Sequence, residues 1–199
     1  MQHVFLVGAK CIGQYGGYET FLDKLTEVHA SDPSIHYHIV TKANGDGAMD
    51  ESKLNGVSDV QKDEKGVVHS FTYHNADVVK LDVPQIGPAQ AIAYDVKAFK
   101  WCLSFIADRK IVNPIIYVLA CRIGPFFGGL VNRAHKLGCK VFVNPDGRDD
   151  IIEETGRKAS KIRLCDNIVS YPEHKYTLPS IPVLTAKPAY VMPESCTAA

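Results

Sequence analysis

Over the first three quarters of the chain, short apolar runs alternate with segments in which hydrophobic residues recur every three or four positions. A short apolar run bounded by turn-forming residues is typical of a buried β-strand. The runs that predict strands are HVFLV, HYHIVT, VVHSFTYH, VVKLDVP, IIYVLAC and KVFVN, at residues 3–7, 36–41, 67–74, 78–84, 115–121 and 140–144. The polar residues 42–65 predict a long exposed excursion between the second and third strands.

Three segments predict amphipathic helices, at about residues 18–30, 88–108 and 125–138. The first helix is predicted to bury Phe21, Leu22, Leu25 and Val28. The second has the longest apolar stripe, formed by Ile92, Val96, Phe99, Leu103 and Ile106. Asp95 lies off this stripe, which predicts a position on the solvated face of the helix.

Repeated strand–helix units with strands of this kind predict a parallel sheet that is covered by helices on both faces. The predicted fold class is therefore α/β, a Rossmann-like doubly wound domain over residues 1–147. Beyond Gly147 the periodicity stops, and five of the eleven prolines lie between Pro172 and Pro193. Residues 148–199 are predicted to form a divergent, irregular tail.

The composition excludes several classes of function. The 22 basic and 22 acidic side chains balance, so no global positive charge predicts a nucleic-acid partner. The six cysteines form no C-x-x-C pair, and no H-E-x-x-H pattern is present, so neither a metal site nor a disulfide framework is expected. His36 and His38 alternate along the second strand and are predicted to lie on its more polar face. Free thiols favour a cytoplasmic location.

The apolar stretch 111–131 has the length of a membrane span, but Asn113, Pro114, Arg122 and Pro125 interrupt it. It therefore predicts a buried strand followed by a helix rather than a transmembrane segment. Phe126 and Phe127 raise the hypothesis of a peripheral membrane contact, against the favoured interpretation that both rings pack under the sheet.

The stretch GAKCIGQYGGYETF, residues 8–21, places a glycine-rich loop between the first strand and the first helix. Such a loop can direct amide groups and a helix N-terminus at a phosphate. The spacing is not G-x-G-x-x-G, and the second strand ends at Lys42 where an NAD-binding domain has an acidic residue. An NAD-type oxidoreductase is accordingly a weak alternative, and a loop that only turns the chain is another.

Several polar residues follow strands or begin helices, where open α/β sheets bind ligands. Asp146 is the candidate catalytic residue, because a carboxylate after the last predicted strand could hold an acceptor hydroxyl. The alternatives are a turn role for Asp146 and capping or packing roles for Tyr18 and Glu19. Asn144 and Arg122 also follow strands, with structural roles favoured for both.

The motif GQYGGYETFLDKL resembles the G-G-x-E signature of retaining, family 4-type GT-B glycosyltransferases. Residues 1–147 are similar to the N-terminal domain of rhamnosyltransferases that build streptococcal capsular polysaccharide. The resemblance implies two Rossmann-like domains, no cofactor or metal, dTDP-rhamnose as donor, and a lipid-linked glucose acceptor at the cytoplasmic face of the membrane. It implies that the glycine loop approaches the donor diphosphate and the transferred sugar, so Gly16 and Gly17 carry over on that motif. From their positions, Gly13, Tyr18, Glu19 and Asn144 are the further candidates for donor-phosphate and substrate binding.

Three departures qualify this resemblance. Cys11 stands where the family usually has glycine, and its side chain is expected to crowd a bound phosphate. From Arg148 the sequence no longer follows the family pattern, and the chain stops at Ala199 before any donor-binding domain. We therefore expect a truncated transferase that is inactive alone, with a non-catalytic binding remnant as a further alternative.

Overall fold

The computed structural model describes residues 1–120, 122–144 and 166–168. Its centre is an eight-stranded sheet in the order β3-β4-β5-β2-β1-β6-β7-β8. The strands are β1 Gln2–Val7, β2 Ile35–Lys42, β3 Ser58–Lys62, β4 Val68–Tyr73, β5 Ala76–Leu81, β6 Ile115–Val118, β7 Lys140–Val143 and β8 Asn167–Ile168. All six runs predicted as strands form strands.

The six strands from β5 to β8 are mutually parallel, whereas β3 and β4 extend the sheet with antiparallel pairing. The tight β4–β5 connection turns at His74, whose φ of 53° is left-handed. The predicted excursion at residues 42–65 contains β3, an exposed edge strand. The parallel prediction is confirmed for the main part of the sheet and is wrong at this edge, because a two-residue turn permits only antiparallel pairing.

Within the described residues, three helices connect the strands: α1 Gly17–Val28, α2 Gln90–Arg109 and α3 Phe127–Lys136. Short 3-10 turns that contain Pro88 and Pro125 lead into α2 and α3. α2 ends where Lys110 adopts a left-handed φ of 52°, which breaks the helical hydrogen-bond pattern.

Hydrophobic cores lie on both faces of the sheet, as a doubly wound domain requires. One core joins α2 and α3 to the sheet through Phe5, Val7, Phe99, Ile106 and Val131. The other joins α1 to the opposite face through Leu6, Leu22, Ile39, Phe71 and Leu119. The α/β, Rossmann-like prediction is therefore confirmed.

Three predicted side-chain positions are wrong. Val28 is 53% exposed, and Thr26 is buried in its place because its hydroxyl donates to the Leu22 carbonyl. Asp95 is fully buried rather than solvated, because an arginine from a neighbouring loop pairs with it. Phe127 packs under the sheet, but Phe126 is 57% exposed because it lies in the turn before α3.

Among the described helices, none is long and apolar enough to cross a membrane. The stretch 111–131 forms β6, a turn and the first residues of α3, as the interrupting polar and proline residues predicted.

Residues 166–168 lie beyond the predicted domain boundary at residue 147, and β8 pairs with β7. The backbone N–H of Val141 and the ring of His135 both contact the Asp166 carboxylate, at 2.6 and 2.9 Å. The other predictions for residues 148–199 lie outside the described residues.

Candidate functional site

The strand order reverses between β1 and β6, so the carboxyl ends of these strands form the point at which open α/β sheets bind ligands. Gly8 follows β1 with a φ of +113°, and a Cβ at this position would lie 3.0 Å from the backbone nitrogen of Ala120. The Leu119 N–H donates to the Val7 carbonyl at 2.8 Å. Glycine is thus needed at residue 8 because the two loops approach each other so closely.

Arg122 links both sides of this switch point. Its Nη2 donates to the Gly8 carbonyl at 2.9 Å, and its Nε donates to Oδ2 of Asp95 at 3.2 Å. The Asp95 side chain is 0% exposed, whereas the Arg122 side chain is 41% exposed. Arg122 therefore pairs with a buried carboxylate on α2 while part of its guanidinium stays open to solvent.

Burial raises the pKa of Asp95 to about 6, and the opposing attraction of Arg122 limits the rise. The second carboxylate oxygen, Oδ1, is buried without a hydrogen-bond partner among the described residues. A buried carboxylate with an open acceptor position and a raised pKa, at the ligand-binding edge of a sheet, is a candidate functional residue.

Lys42, the last residue of β2, is buried at the same edge of the sheet. Its ammonium donates to the Asp46 carbonyl at 3.2 Å and lies 5.7 Å from the centre of the Tyr94 ring. The pKa of Lys42 is lowered by burial and by the nearby Lys10 and Arg122 cations. Three positive side chains therefore converge beside the loop that follows β1.

The Tyr94 hydroxyl holds the loop that follows β1 through hydrogen bonds to backbone carbonyls. It lies 2.8 Å from the Ala9 carbonyl and 2.9 Å from the Val40 carbonyl, so its proton is shared between the ends of β1 and β2. Burial raises the pKa of Tyr94 well above its ordinary value, and the phenol stays a donor.

Side chains of nearby residues occupy the space around the glycine-rich loop. Oε1 of Glu19 accepts a hydrogen bond from the Lys10 N–H at 3.1 Å, and a Cβ on Gly16 would clash with the Glu19 carboxylate. A Cβ on Gly13, where φ is +69°, would clash with the Leu54 side chain. The Glu19 carboxylate therefore accepts from the Lys10 N–H, one of the loop amides that were predicted to bind a phosphate.

The structure brings some of the predicted residues together and separates others. Gly16 and Glu19 are in contact, and Gly13 lies in the same loop. Gly17 begins α1 with open space around its Cα, and no side chain caps this helix. Tyr18 is half-buried and packs against the core under α1.

Asn144 follows β7 at the same sheet edge, two strands from β1, and its N–H donates to the Val118 carbonyl. The backbone hydrogen bond gives Asn144 a structural role, and its binding role stays a prediction. Asp146 lies outside the described residues, and its catalytic role stays a prediction.

Cys11 does not crowd a phosphate site, so that expectation is wrong. The side chain is buried in the core beneath α1, and burial raises the pKa of the thiol to about 11. Its backbone has no left-handed φ, which explains why cysteine can stand here in place of glycine.

Sequence reasoning missed the combination of Lys42, Asp95 and Arg122. Each had a local signal: Lys42 and Arg122 follow strands, and Asp95 is a charge within the most apolar helix. The contact between Asp95 and Arg122 spans 27 residues, and no periodicity predicts it.

Residues 1–163 match the family described as "Domain of unknown function (DUF1972)", and the chain belongs to this family. No curated protein matches the sequence significantly. Among solved structures, the chain is similar to α,α-trehalose 6-phosphate synthase from Burkholderia multivorans, with 11% sequence identity and a TM-score of 0.42. The match covers 82% of this chain and 37% of that enzyme, and it is too weak to support an argument about function.

Proposed function

We propose that this member of the DUF1972 family is the N-terminal, acceptor-side domain of a GT-B glycosyltransferase. The proposed reaction transfers rhamnose from dTDP-rhamnose to a lipid-linked glucose in the synthesis of capsular polysaccharide. The observation that carries the proposal is the switch point, where Gly8 and Ala120 meet and the half-exposed cations Lys10 and Arg122 face solvent, and we place the ligand cleft there. The Gly16–Glu19 signature stands beside this cleft.

The charges suit the leaving group of such a transfer. When the bond between the sugar C1 and the diphosphate breaks, negative charge develops on the diphosphate, and fixed cations stabilise it. Arg122 is held by Gly8 and Asp95, so it is oriented before a ligand binds. Lys10 is held less firmly, by Asp46 at 2.7 Å on the surface. We assign the two side chains to the diphosphate.

Glu19 has a second role in this proposal. Its carboxylate reaches from the first turn of α1 to the Lys10 amide, across Gly16. A sugar hydroxyl that donates to the other carboxylate oxygen would be positioned over the glycine pair. We propose that Asp146 binds the acceptor hydroxyl and that Asn144 binds the substrate.

The lipid-linked acceptor implies a membrane surface near the cleft. Phe126 supports this part of the proposal, because it is exposed in the turn that follows β6, close in sequence to Arg122. We expect Phe126→Ser to reduce the co-flotation of the chain with liposomes, and equal flotation of both proteins would contradict the contact.

An NAD-type oxidoreductase has less support. In such enzymes an acidic residue at the end of the second strand binds the ribose hydroxyls. Here the buried cation Lys42 stands at that position, and the nearby Asp46 carboxylate is engaged by Lys10.

Ligand binding to the full chain tests the proposal. We expect dTDP-rhamnose and dTDP to shift the amide NMR signals of Gly8, Gly16 and Gly17 at millimolar concentration, whereas NAD leaves them unchanged. Lys10→Gln should weaken binding of dTDP-rhamnose by roughly five-fold, because an exposed charge-assisted hydrogen bond contributes about 1 kcal/mol.

Lys24→Gln is the matched control, since Lys24 is also an exposed lysine with a 2.7 Å ion pair, but on α1. It should bind dTDP-rhamnose like the wild type. Signal shifts caused by NAD alone, or equal affinity of the Lys10→Gln and Lys24→Gln proteins, would overturn the assignment of this cleft.

A further inference from the structure

A second cluster of polar side chains lies at the opposite, amino-terminal edge of the sheet. β1 contributes His3, β2 contributes His36 and His38, and β5 contributes Asp77. The strand register pairs His3 with His36 and His38 with Asp77, so the parallel pairing itself brings the four side chains to one place. Because successive residues of a strand alternate between faces, all four lie on the face that α2 covers.

The ligand atoms of three of these residues are closely spaced. Single side-chain atoms of His36, His38 and Asp77 lie within 4.8 Å of one another. Oδ2 of Asp77 is 2.9 Å from Nε2 of His36 and 3.4 Å from Nδ1 of His38. Tetrahedral Zn²⁺ with ligands at about 2.0–2.2 Å separates them by about 3.3–3.6 Å. The Asp77–His38 distance falls in this range, and the Asp77–His36 pair, now at hydrogen-bond distance, would open slightly to admit the ion.

His38 supplies an independent observation. Its side chain is only 3% exposed and stacks on Phe5, yet its Nδ1 has no hydrogen-bond partner among the described residues. This atom is aimed at the Asp77 carboxylate. A buried polar atom in such a position requires an explanation, because an unsatisfied group of this kind destabilises the fold.

The other ring nitrogen of His38, Nε2, lies 2.9 Å from Nδ1 of His3. If the His38 Nε2–H donates to His3, the lone pair on Nδ1 faces a carboxylate oxygen, and a cation between them removes the repulsion. This arrangement is the usual one for a metal-binding histidine, whose second ring N–H donates to a neighbour that fixes the tautomer.

We propose that His36, His38 and Asp77 bind one divalent transition-metal ion of the Zn²⁺ type, with His3 as the residue that positions His38. Two imidazoles and one carboxylate suit zinc and related metals rather than Mg²⁺ or Ca²⁺, which prefer all-oxygen ligands. The side chains of His36 and Asp77 are 25% and 44% exposed, so the ion can enter from solvent, and water can complete its coordination. The site lies across the sheet from the proposed cleft and is independent of the proposed function.

Titration of the full, tag-free chain with Zn²⁺ and Co²⁺, after removal of metals by a chelator, tests the proposal. We expect one equivalent of each ion to bind, and the Co²⁺ protein to show visible absorption bands without a thiolate charge-transfer band. His36→Ala and Asp77→Asn should each weaken binding by more than ten-fold. His3→Ala should weaken it by about ten-fold, as for other residues that orient a metal ligand.

His69→Ala is the matched control, because His69 is also a strand histidine that faces an aspartate, 3.4 Å from Asp63. It should bind Zn²⁺ like the wild type. Circular dichroism establishes that each variant is folded, and Asp77→Asn keeps the shape of the side chain. Failure of the folded wild type to bind one equivalent, or unchanged affinity in both His36→Ala and Asp77→Asn, would overturn the proposal.

Discussion

The two ends of the central sheet hold charged clusters that are built in different ways. At the carboxyl edge, Lys42, Asp95 and Arg122 come from a strand end, a helix and a loop, and they meet near the switch point between β1 and β6. At the amino edge, His3, His36, His38 and Asp77 all project from strands and are aligned by the register of parallel pairing.

This difference teaches how each cluster responds to change. The carboxyl-edge cluster contains a fully buried acid, so removal of its partner leaves a charge in the interior. The amino-edge cluster contains imidazole rings and a half-exposed carboxylate, so solvent moderates the loss of one member. We therefore expect the largest effects on folding at the carboxyl edge.

Arg122→Ala should cause the largest effect, a loss of about 4 kcal/mol in the free energy of unfolding at pH 8. The change leaves the buried Asp95 carboxylate without its partner and removes a hydrogen bond to the Gly8 carbonyl. Urea unfolding measures the effect, which should be smaller at pH 5 because Asp95 can then bind a proton. Arg133→Ala, an exposed arginine on α3, should change the free energy by less than about 0.5 kcal/mol. Equal losses in the two variants would contradict the buried pair.

The pH dependence of stability should have opposite signs at the two edges. The folded-state pKa of Asp95 is raised from 3.8 to about 6, so the folded chain binds more protons than the unfolded chain between these values. Its contribution to stability is complete in acid and is lost as the pH rises through about 6, a change of about 3 kcal/mol. The stability of Asp95→Asn relative to the wild type should therefore increase from pH 4 to pH 7.

His38 should act in the reverse direction, with a smaller effect. Its folded-state pKa is lowered from 6.5, so the unfolded chain binds more protons, and stability is lost as the pH falls below about 6.5. Relative to the wild type, His38→Gln should therefore gain stability as the pH falls from 7 to 5. Urea unfolding across this range, with a chelator present, measures both variants. A change of the same sign for Asp95→Asn and His38→Gln would be inconsistent with the difference between the edges.

Gly8→Ala should lower the free energy of unfolding by about 2 kcal/mol, because alanine is strained at the φ of +113° and approaches the Ala120 backbone. Gly129, within α3, has open space around its Cα, and Gly129→Ala should raise stability by about 0.5–1 kcal/mol. Thermal unfolding of the two variants compares the switch point with an ordinary helical position. Similar melting temperatures would show that the loops at Gly8 and Ala120 can separate.

Much of the fold could be predicted because it depends on local patterns. The runs HVFLV, IIYVLAC and KVFVN became three neighbouring strands, and the stripe from Ile92 to Ile106 became the covering face of α2. Burial of apolar residues imposes these periodicities within a few residues, so they can be read without the tertiary structure. The edge strand β3 was missed because its exposed residues have no apolar pattern.

The candidate site could be predicted only in part. The Gly16–Glu19 stretch was found from sequence because its residues are consecutive, but the direction of the Glu19 carboxylate, toward the Lys10 amide, depends on loop packing. Asp95 was predicted to be exposed because helical periodicity relates a residue only to other residues of the same helix. Its burial depends on Arg122, whose position follows from the crossover between β5 and β6.

The sequence by itself determined the order of strands and helices, the two-sided burial of the sheet and the position of the glycine-rich loop. The tertiary structure alone decided which charges meet: Asp95 with Arg122 at one edge, and His38 with His3 and Asp77 at the other. The physical reason is the distance along the chain over which each interaction acts. Periodic burial acts between neighbours along the chain. An ion pair or a ligand cluster requires residues that only strand pairing and helix packing bring within 3–4 Å of each other.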